Sequence, residues 1–294
     1  MEDHRVPQSL FVIPCYNEAD RIDLAAFDAF AVANPEINFL FVNDGSSDAT
    51  SEILHQFAGR RPDRFMAIDL PHNQGKAEAV RVGMLQALDQ EAELIGFLDA
   101  DLATPLAECR RLQEALARRP EIQMAIGVRL PLAGHAIQRK RIRRWIGRGF
   151  ARVASTMLGI AIADTQCGAK LLRSNQLARF LFATPFLSRW IFDVEVFARL
   201  RIAGDRLAVR DAIYELPLES WREIPGSKLR PRHFLLAIGD LAMIYREYFL
   251  SRRWKERAVE LRSEPETAAD ASAPWPAAPH SVRAKIKPTR KASA

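Results

Sequence analysis

The stretch "LIGFLDADLATP", residues 94–105, begins as an uninterrupted apolar run and ends in Asp99 and Asp101, two carboxylates separated by one alanine. A short apolar run of this kind is the pattern of a strand covered on both faces, as in parallel sheets. The aspartates then stand at its carboxyl end. One of them could cap the helix expected from Pro105, because Asp and Thr ahead of a proline in a first helical turn are common. A cap needs one carboxylate. Two at i and i+2 repel each other unless a cation compensates, which makes a divalent metal their natural complement.

The same alternation extends outward on both sides. "SLFVIP" leads into a helical pattern from Glu18 to Asn34, "INFLFVN" into Asp48 to Ala58, "FMAIDL" into Lys76 to Gln90, and "LIGFLD" into Pro105 to Arg118, before "IQMAIGV". Apolar strands separated by helices predict an α/β fold, Rossmann-like, with a mostly parallel sheet and helices on both faces. Ligands in such sheets bind at the carboxyl ends of strands. Four polar clusters fall there: "CYNE" at 15–18, "NDGSSD" at 43–48, "PHNQGK" at 71–76 and "DAD" at 99–101. Taken singly, "NDGS" is a tight turn in which Gly45 supplies positive φ and Asp44 an Asx hydrogen bond, and "NQGK" is an ordinary entry to a helix. At successive strand ends they predict one site, with Asp44 suited to a nucleobase and ribose, and Asp99 and Asp101 to a cation against a diphosphate. Neither GxxxxGK[ST] nor GxGxxG occurs, which excludes P-loop NTPases and Rossmann dehydrogenases.

With 294 residues, 48% of them hydrophobic, the chain can hold one large domain or two small ones. Its formal net charge of +6 suits a negatively charged partner: nucleic acid, phospholipid or a phosphorylated small molecule. Cys15, Cys109 and Cys167 are odd in number and lack CxxC spacing, so they are expected as reduced thiols of a cytosolic chain, and the histidines show no metal-ligand spacing. No signal peptide is expected from "MEDHRVPQ", and no run reaches the roughly 18 apolar residues of a membrane span. Membrane contact is therefore expected to be peripheral.

Beyond Pro131 the pattern changes to a basic helix, then "IADTQCGAKLLR", a helix after Asn175, "RWIFDVEVFARL", a strand near Leu207 to Tyr214, and "LESWREIPGSKLRP". No linker interrupts the chain before about residue 250, which predicts a single domain. From Glu264 to Ala294 the Ala/Pro-rich, terminally basic composition predicts a disordered tail. "RKRIRRWIGRGFAR", residues 139–152, carries seven basic residues and no acidic one. It is either a solvated basic face or, with Ile142, Trp145, Ile146 and Phe150 on one side, a helix lying on an anionic bilayer. Nucleic acid competes for such a run, and the absence of any nucleic-acid fold signature argues against it. Residues 234, 235, 238, 241, 242, 245, 248 and 249 share a second amphipathic face, for core packing or for a membrane surface.

"VIPCYNEADRI", "FVNDGSSDAT", "NQGKAEAVRVGM" and "DADLATP" together resemble the nucleotide-sugar half of family 2 glycosyltransferases with a GT-A fold. "DTQCGAKLL", "RWIFDVEV" and "WREIPGSKL" resemble, more narrowly, the dolichyl-phosphate β-glucosyltransferase and polyprenyl-phosphate glycosyltransferase group. The resemblance runs from Leu10 to Leu229. It implies a GT-A domain over 8–250, with a nucleotide-sugar half at 8–128 and an acceptor half, including the membrane-surface helices, at 129–250. Pro14, Tyr16, Asn17 and Glu18 match the first nucleotide loop, Asp44 the base-contacting aspartate, and Lys76 the loop that closes on the nucleotide. Asp99 and Asp101 match the donor and metal aspartates, Asp101 as the direct ligand of Mg2+ or Mn2+. Arg129 matches the acceptor-phosphate arginine, a group whose planar fork suits bidentate phosphate binding. Asp164 is expected nearest the reaction, with Asp193, Glu195, Trp221 and Lys228 shaping the sugar and acceptor side.

Two departures accompany the resemblance. Ala103 stands where related mannosyltransferases often carry Gln, and no counterpart of the membrane anchors of the eukaryotic and many bacterial relatives is expected from the sequence. The function implied is inverting transfer of a hexose, glucose, from a UDP-sugar to a polyprenyl phosphate, by a protein peripheral to the cytoplasmic face of a membrane, bound directly or through a membrane subunit. A phosphate acceptor, with a second pKa of about 6, is already largely anionic and needs no strong base. The alternative is a hydroxyl acceptor, which does need one. Asp164, Asp193 and Glu195 are the carboxylates at hand, each of which could instead cap a helix or pair with Lys170, Arg173 or Arg189. A non-enzymatic binding module on a decayed fold is the remaining alternative, against which the intact "DAD" and "NDGS" argue.

Overall fold

Strand β1 (Ser9–Cys15) shows why the sheet is covered on both sides. Its alternate residues Leu10 and Val12 enter one apolar core with Leu40 and Val42, while Phe11 and Ile13 enter a second with Phe39 and Phe41. Burying each such side chain contributes roughly 1.5–3 kcal/mol, so both faces must stay dry. The computed structural model describes residues 8–90, 92–138, 141–204, 206–224 and 232–263.

β1 lies parallel between β2 (Ile37–Asn43) and β4 (Leu94–Phe97), and β3 (Phe65–Asp69) extends the sheet beyond β2. Helices α1 (Leu24–Ala33), α2 (Thr50–Arg60) and α4 (Ala107–Ala117) cover one face through Phe27, Leu54 and Leu112. On the other face α3 (Lys76–Leu88) packs through Val80 and Met84. β7 (Lys170–Arg173) inserts antiparallel between β4 and β5 (Met124–Val128), and β8 (Ile213–Pro217) pairs parallel with β5. The seven-stranded order is β3-β2-β1-β4-β7-β5-β8. Residues on both sides of position 129 therefore build one sheet. A separate two-stranded ribbon joins β6 (Ala136–Gln138) to β9 (Ser220–Arg222).

Several boundaries move from their expected places. α1 begins at Leu24 because Asp23 caps it, accepting the Ala26 amide at 3.0 Å, whereas Glu18 to Ile22 forms a turn. Neither Asp99 nor Asp101 caps α4; Asp101 instead accepts the amide of Ala103 at 3.0 Å. The strand expected near 207–214 is helix α8 (Arg206–Asp211) followed by β8. One helical turn buries both Val209 and Ala212, and pairing with β5 begins only at Ile213, opposite Met124.

After β7 come α6 (Gln176–Phe182), capped by Asn175, and α7 (Phe192–Ala203). The chain closes with α9 (Arg232–Tyr245), a π-helical turn over Arg246–Leu250, and α10 (Arg252–Ser263). The amphipathic face expected over 234–249 splits: Ala237, Leu241, Ile244 and Tyr248 are buried, while Ile238 and Tyr245 face outward. Tyr245 stacks on Phe249, ring centroids 5.6 Å apart. Helix α5 (Arg141–Leu158) contains most of the basic stretch and buries Ala151, Ala154 and Leu158. Arg139, Lys140, Lys228 and the segment 264–294 lie outside the described residues, as do the side chains of 141–146 and Arg148. Among the described residues no helix is long and apolar enough to cross a membrane. The three cysteines are buried free thiols.

Candidate active site

The loops after β1, β2, β3 and β4 meet at the carboxyl edge of the sheet, and their own polar groups tie them together. Asn17 adopts φ of 50°, a left-handed conformation that Asn tolerates better than most residues. Its amide donates to Ser46 Oγ at 2.9 Å and its Oδ1 accepts from the Ser47 amide at 2.9 Å. The Glu18 amide donates to Thr50 Oγ1 at 2.9 Å. Asp44 gathers the third loop, accepting from the amides of Gln74 at 2.7 Å and Gly75 at 2.8 Å and from Asn73 Nδ2 at 2.9 Å. Burial pushes the Asp44 carboxyl up, against the pull of those two amides.

Asp99 is held from two sides. Lys76 Nζ pairs with its Oδ1. On the other side Gly168 packs directly on the carboxylate: a Cβ at Gly168 would lie 2.1 Å from Asp99 Oδ2. That contact explains why "DTQCGAK" has a glycine there. Burial and then the charge of Asp99 push the Asp101 carboxyl up, while Asp99, followed by Asp193, Asp99 hydrogen bonding and Asp101, raises the Lys76 ammonium against its burial.

A cavity of about 460 Å³ opens between these loops. It is lined by Pro14, Tyr16, Glu18, Asp44, Lys76, Asp99 and Asp101, all named from sequence, by Asn73 from the expected 71–76 cluster, and by Arg21, Arg189 and Trp190, which were not assigned to the site. Asn17 serves as the clasp between two loops rather than as wall. Among the described residues no group of three or more His, Cys, Asp or Glu side chains could hold a metal. The mutually repelling pair Asp99 and Asp101 nevertheless fits a hard divalent ion, because such ions are commonly bound by one or two carboxylates, with substrate phosphates and water completing the shell.

Arg129 follows β5 and meets Asp164 in a two-point ion pair, Nε to Oδ2 at 2.6 Å and Nη2 to Oδ1 at 2.8 Å. Its guanidinium lies 5.2 Å from the centre of the Trp221 ring. Burial would depress the Arg129 guanidinium, but Asp164 outweighs it and holds it charged. Three expected acceptor-side residues thus form one unit.

Asp193 and Glu195 stand behind the cavity rather than in its wall. Asp193 takes the ion-pair alternative, accepting from the buried Lys170 Nζ at 2.5 Å. Glu195 is fully buried, so it shapes no sugar pocket by contact. It accepts the amides of Leu187 at 2.9 Å and Ser188 at 2.7 Å and the Tyr248 hydroxyl at 2.8 Å. Both carboxylates lie in the first turn of α7, which faces the core. Arg189 and Trp190 open the same "RWIFDVEV" stretch; the fold-back that puts Arg189 Nη2 2.8 Å from Asn73 Oδ1 has no local signature.

A mostly parallel sheet with an antiparallel strand inserted, and a carboxylate pair at its strand ends beside a cavity, is the architecture of glycosyltransferases of the GT-A type. The glycosyl transferase family 2 model matches residues 10–177, more than half of the chain, and the protein belongs to that family. A dolichyl-phosphate beta-glucosyltransferase of Trichomonas vaginalis is 35% identical over 257 residues, covering 83% of this chain and 72% of its own. That of Drosophila melanogaster is 31% identical over 282 residues, covering 90% and 82%. Among solved structures, glucosyl-3-phosphoglycerate synthase from Mycobacterium tuberculosis in complex with UDP superposes with a TM-score of 0.58 at 17% identity, covering 81% of this chain and 80% of that one. The same enzyme with Mn2+, UDP and glucosyl-3-phosphoglycerate gives a TM-score of 0.52, also at 17% identity, covering 82% and 77%. At that identity the likeness concerns the fold.

Proposed function

We propose that this glycosyltransferase moves glucose from UDP-glucose to a polyprenyl phosphate, with inversion, while bound peripherally at the cytoplasmic face of a membrane. The observation that carries the proposal is the nearness of the two halves of the site: one short segment holds both Asp164, which grips Arg129, and Gly168, which packs on Asp99. A guanidinium suited to an acceptor phosphate therefore adjoins the carboxylates suited to a donor diphosphate. The names of the relatives support the sugar and the lipid, and the UDP in the superposed structure supports the nucleotide.

In this proposal the first and second loops and Asp44 receive the nucleotide, and Lys76 bridges from Asp99 toward the diphosphate. Asp101, with Asp99, would hold Mg2+ or Mn2+, which when bound supplies positive charge for the departing diphosphate. Arg129 draws the acceptor phosphate toward the anomeric carbon, and Asp164 orients the guanidinium. The phosphate is already anionic near neutral pH, with a second pKa of about 6, so no carboxylate has to remove a proton. Glu195 and Asp193 are occupied by structural partners, so neither is offered as a nucleophile for a covalent glycosyl intermediate, which favours one in-line displacement. The basic helix and the outward Ile238 and Tyr245 of α9 supply charge and apolar surface for anionic lipid.

Purified protein incubated with UDP-glucose, a polyprenyl phosphate and Mg2+ or Mn2+ tests the proposal. The expected products are UDP and a β-linked glucosyl phosphate lipid, identified by NMR of the anomeric proton and its phosphorus coupling. An α-linked product, or transfer to a hydroxyl compound with none to the phosphate, rejects it.

A further inference from the structure

The loop from 183 to 191, between α6 and α7, belongs to the acceptor half but reaches the nucleotide loops. Arg189 donates from Nη2 to Asn73 Oδ1 at 2.8 Å, and Asn73 donates from Nδ2 to Asp44 at 2.9 Å. The Arg189 side chain lies against Gly75, whose φ is +97°; a Cβ there would come within 2.7 Å of Arg189 Nε. Glycine thus serves both the backbone and the close approach of the arginine. Arg189 and Trp190 line the same cavity as Asp99 and Asp101.

The charges in this wall are not equivalent. Lys76 pairs with Asp99, and Arg21 lies 3.5 Å from Glu18. Arg189 hydrogen-bonds only the neutral Asn73 and forms no salt bridge among the described residues. The backbone on both sides of it is pinned. Glu195 accepts the amides of Leu187 and Ser188, and Ser188 Oγ accepts those of Trp190 at 3.2 Å and Ile191 at 3.0 Å while donating to Asp240 Oδ2 at 2.6 Å. Behind Glu195, Tyr248 donates to the carboxylate, and its oxygen accepts from Arg199 Nε at 3.0 Å. A guanidinium with no direct salt bridge, whose carboxylate neighbour Asp44 is reached only through the neutral Asn73 and through space, held on a fixed backbone at a cavity wall, has the chemistry of an oxyanion-binding group.

We propose that Arg189 binds the diphosphate of the donor from the acceptor side, and that Glu195 is the positioning residue that holds it there. The inference rests on the nucleotide-sugar reading above, without depending on which base or sugar the donor carries. It assigns work to a loop outside the sheet edge and to a carboxylate that touches no substrate.

Calorimetry on the full chain, with UDP, UMP, GDP and GMP in the presence of Mg2+, tests it. Wild-type protein is expected to prefer the diphosphate of whichever base it accepts. Arg189→Gln should reduce that preference about 10-fold or more, as expected for loss of hydrogen bonds to a charged group, while the monophosphate still binds and reports a folded site. Arg189→Lys, which keeps the charge without the planar fork, should fall between. An unchanged preference in Arg189→Gln overturns the inference; failure of wild-type protein to bind either diphosphate overturns the nucleotide-sugar reading itself. Glu195→Gln should raise the donor KM several-fold with the acceptor KM unchanged. A fall in melting temperature without that split reduces Glu195 to a structural role and overturns its half of the proposal.

Discussion

Arg129 and Asp164 meet through two parallel contacts, Nε to Oδ2 at 2.6 Å and Nη2 to Oδ1 at 2.8 Å, so the carboxylate fills the fork that the proposed acceptor phosphate would use. An entering phosphate has to share the guanidinium with Asp164 or displace it.

Arg129→Ala is expected to raise the acceptor KM more than the donor KM. It should also destabilise the fold by about 3–5 kcal/mol, since breaking a nearly buried ion pair from one side is strongly destabilising. Arg129→Met combined with Asp164→Leu should recover much of the stability without the activity. Thermal denaturation and a two-substrate kinetic analysis check both parts. Recovery of activity in the double variant would exclude Arg129 from acceptor binding.

Asp101→Asn should keep the fold and reduce transfer about 100-fold or more, because an amide cannot balance a divalent charge beside the diphosphate. Asp164→Asn should slow transfer less than this. Steady-state rates across a Mg2+ and Mn2+ titration, with EDTA as control, compare the two. Full activity in EDTA would remove the metal from the scheme.

Gly168→Ala tests how closely Asp99 must be seated. The new methyl would lie 2.1 Å from Asp99 Oδ2 without movement, so it should displace the carboxylate or the β7 approach. A loss of kcat larger than the accompanying change in melting temperature can explain is the expected result. Wild-type turnover would mean that Asp99 can move freely.

Asp69 gives the fold a dependence on acid. Its burial alone would raise the carboxyl, but hydrogen bonds from Asn43, His55 and Ser51 outweigh it and hold the group below the ordinary value of 3.8. The folded state therefore binds this proton less readily than the unfolded chain, so the contribution is complete above that value and is lost as the pH falls through the folded-state value. Asp69→Asn should flatten the acid limb of a stability profile measured by denaturant titration. An unchanged limb would assign acid lability to other carboxylates.

Vesicle sedimentation should show binding that requires anionic lipid and weakens with salt, since exposed charges are screened over about 10 Å at 0.1 M ionic strength. Gln at Arg139, Lys140, Arg141, Arg143 and Arg144 should release the protein. Binding indifferent to salt would leave the apolar face of α9 or a partner subunit as the anchor.

The alternating apolar strands and the polar clusters at their ends were legible because both follow local rules: period, length and turn chemistry. Asp99, Asp101 and Lys76 were therefore found where expected. The pairing of Arg129 with Asp164 and the reach of Arg189 to Asn73 depend on segments far apart in the chain, and no spacing rule encodes them. The surroundings of Glu195 were hidden for a related reason: a carboxylate in a motif gives no sign of its partners, here the Leu187 and Ser188 amides and Tyr248. The strand expected near 207–214 failed because short apolar segments fit either a helical turn or a strand.

The insertion of β7 between β4 and β5 has a consequence for synthesis of the chain. Strands β1 to β5 leave the ribosome first, yet β4 and β5 cannot hydrogen-bond to each other directly, because Lys170–Arg173 must stand between them. Until that segment emerges, each of the two strands exposes an unpaired edge of the kind that recruits neighbouring chains. Completion of the sheet is therefore a late event, and a nascent chain that ends before Lys170 carries both unpaired edges.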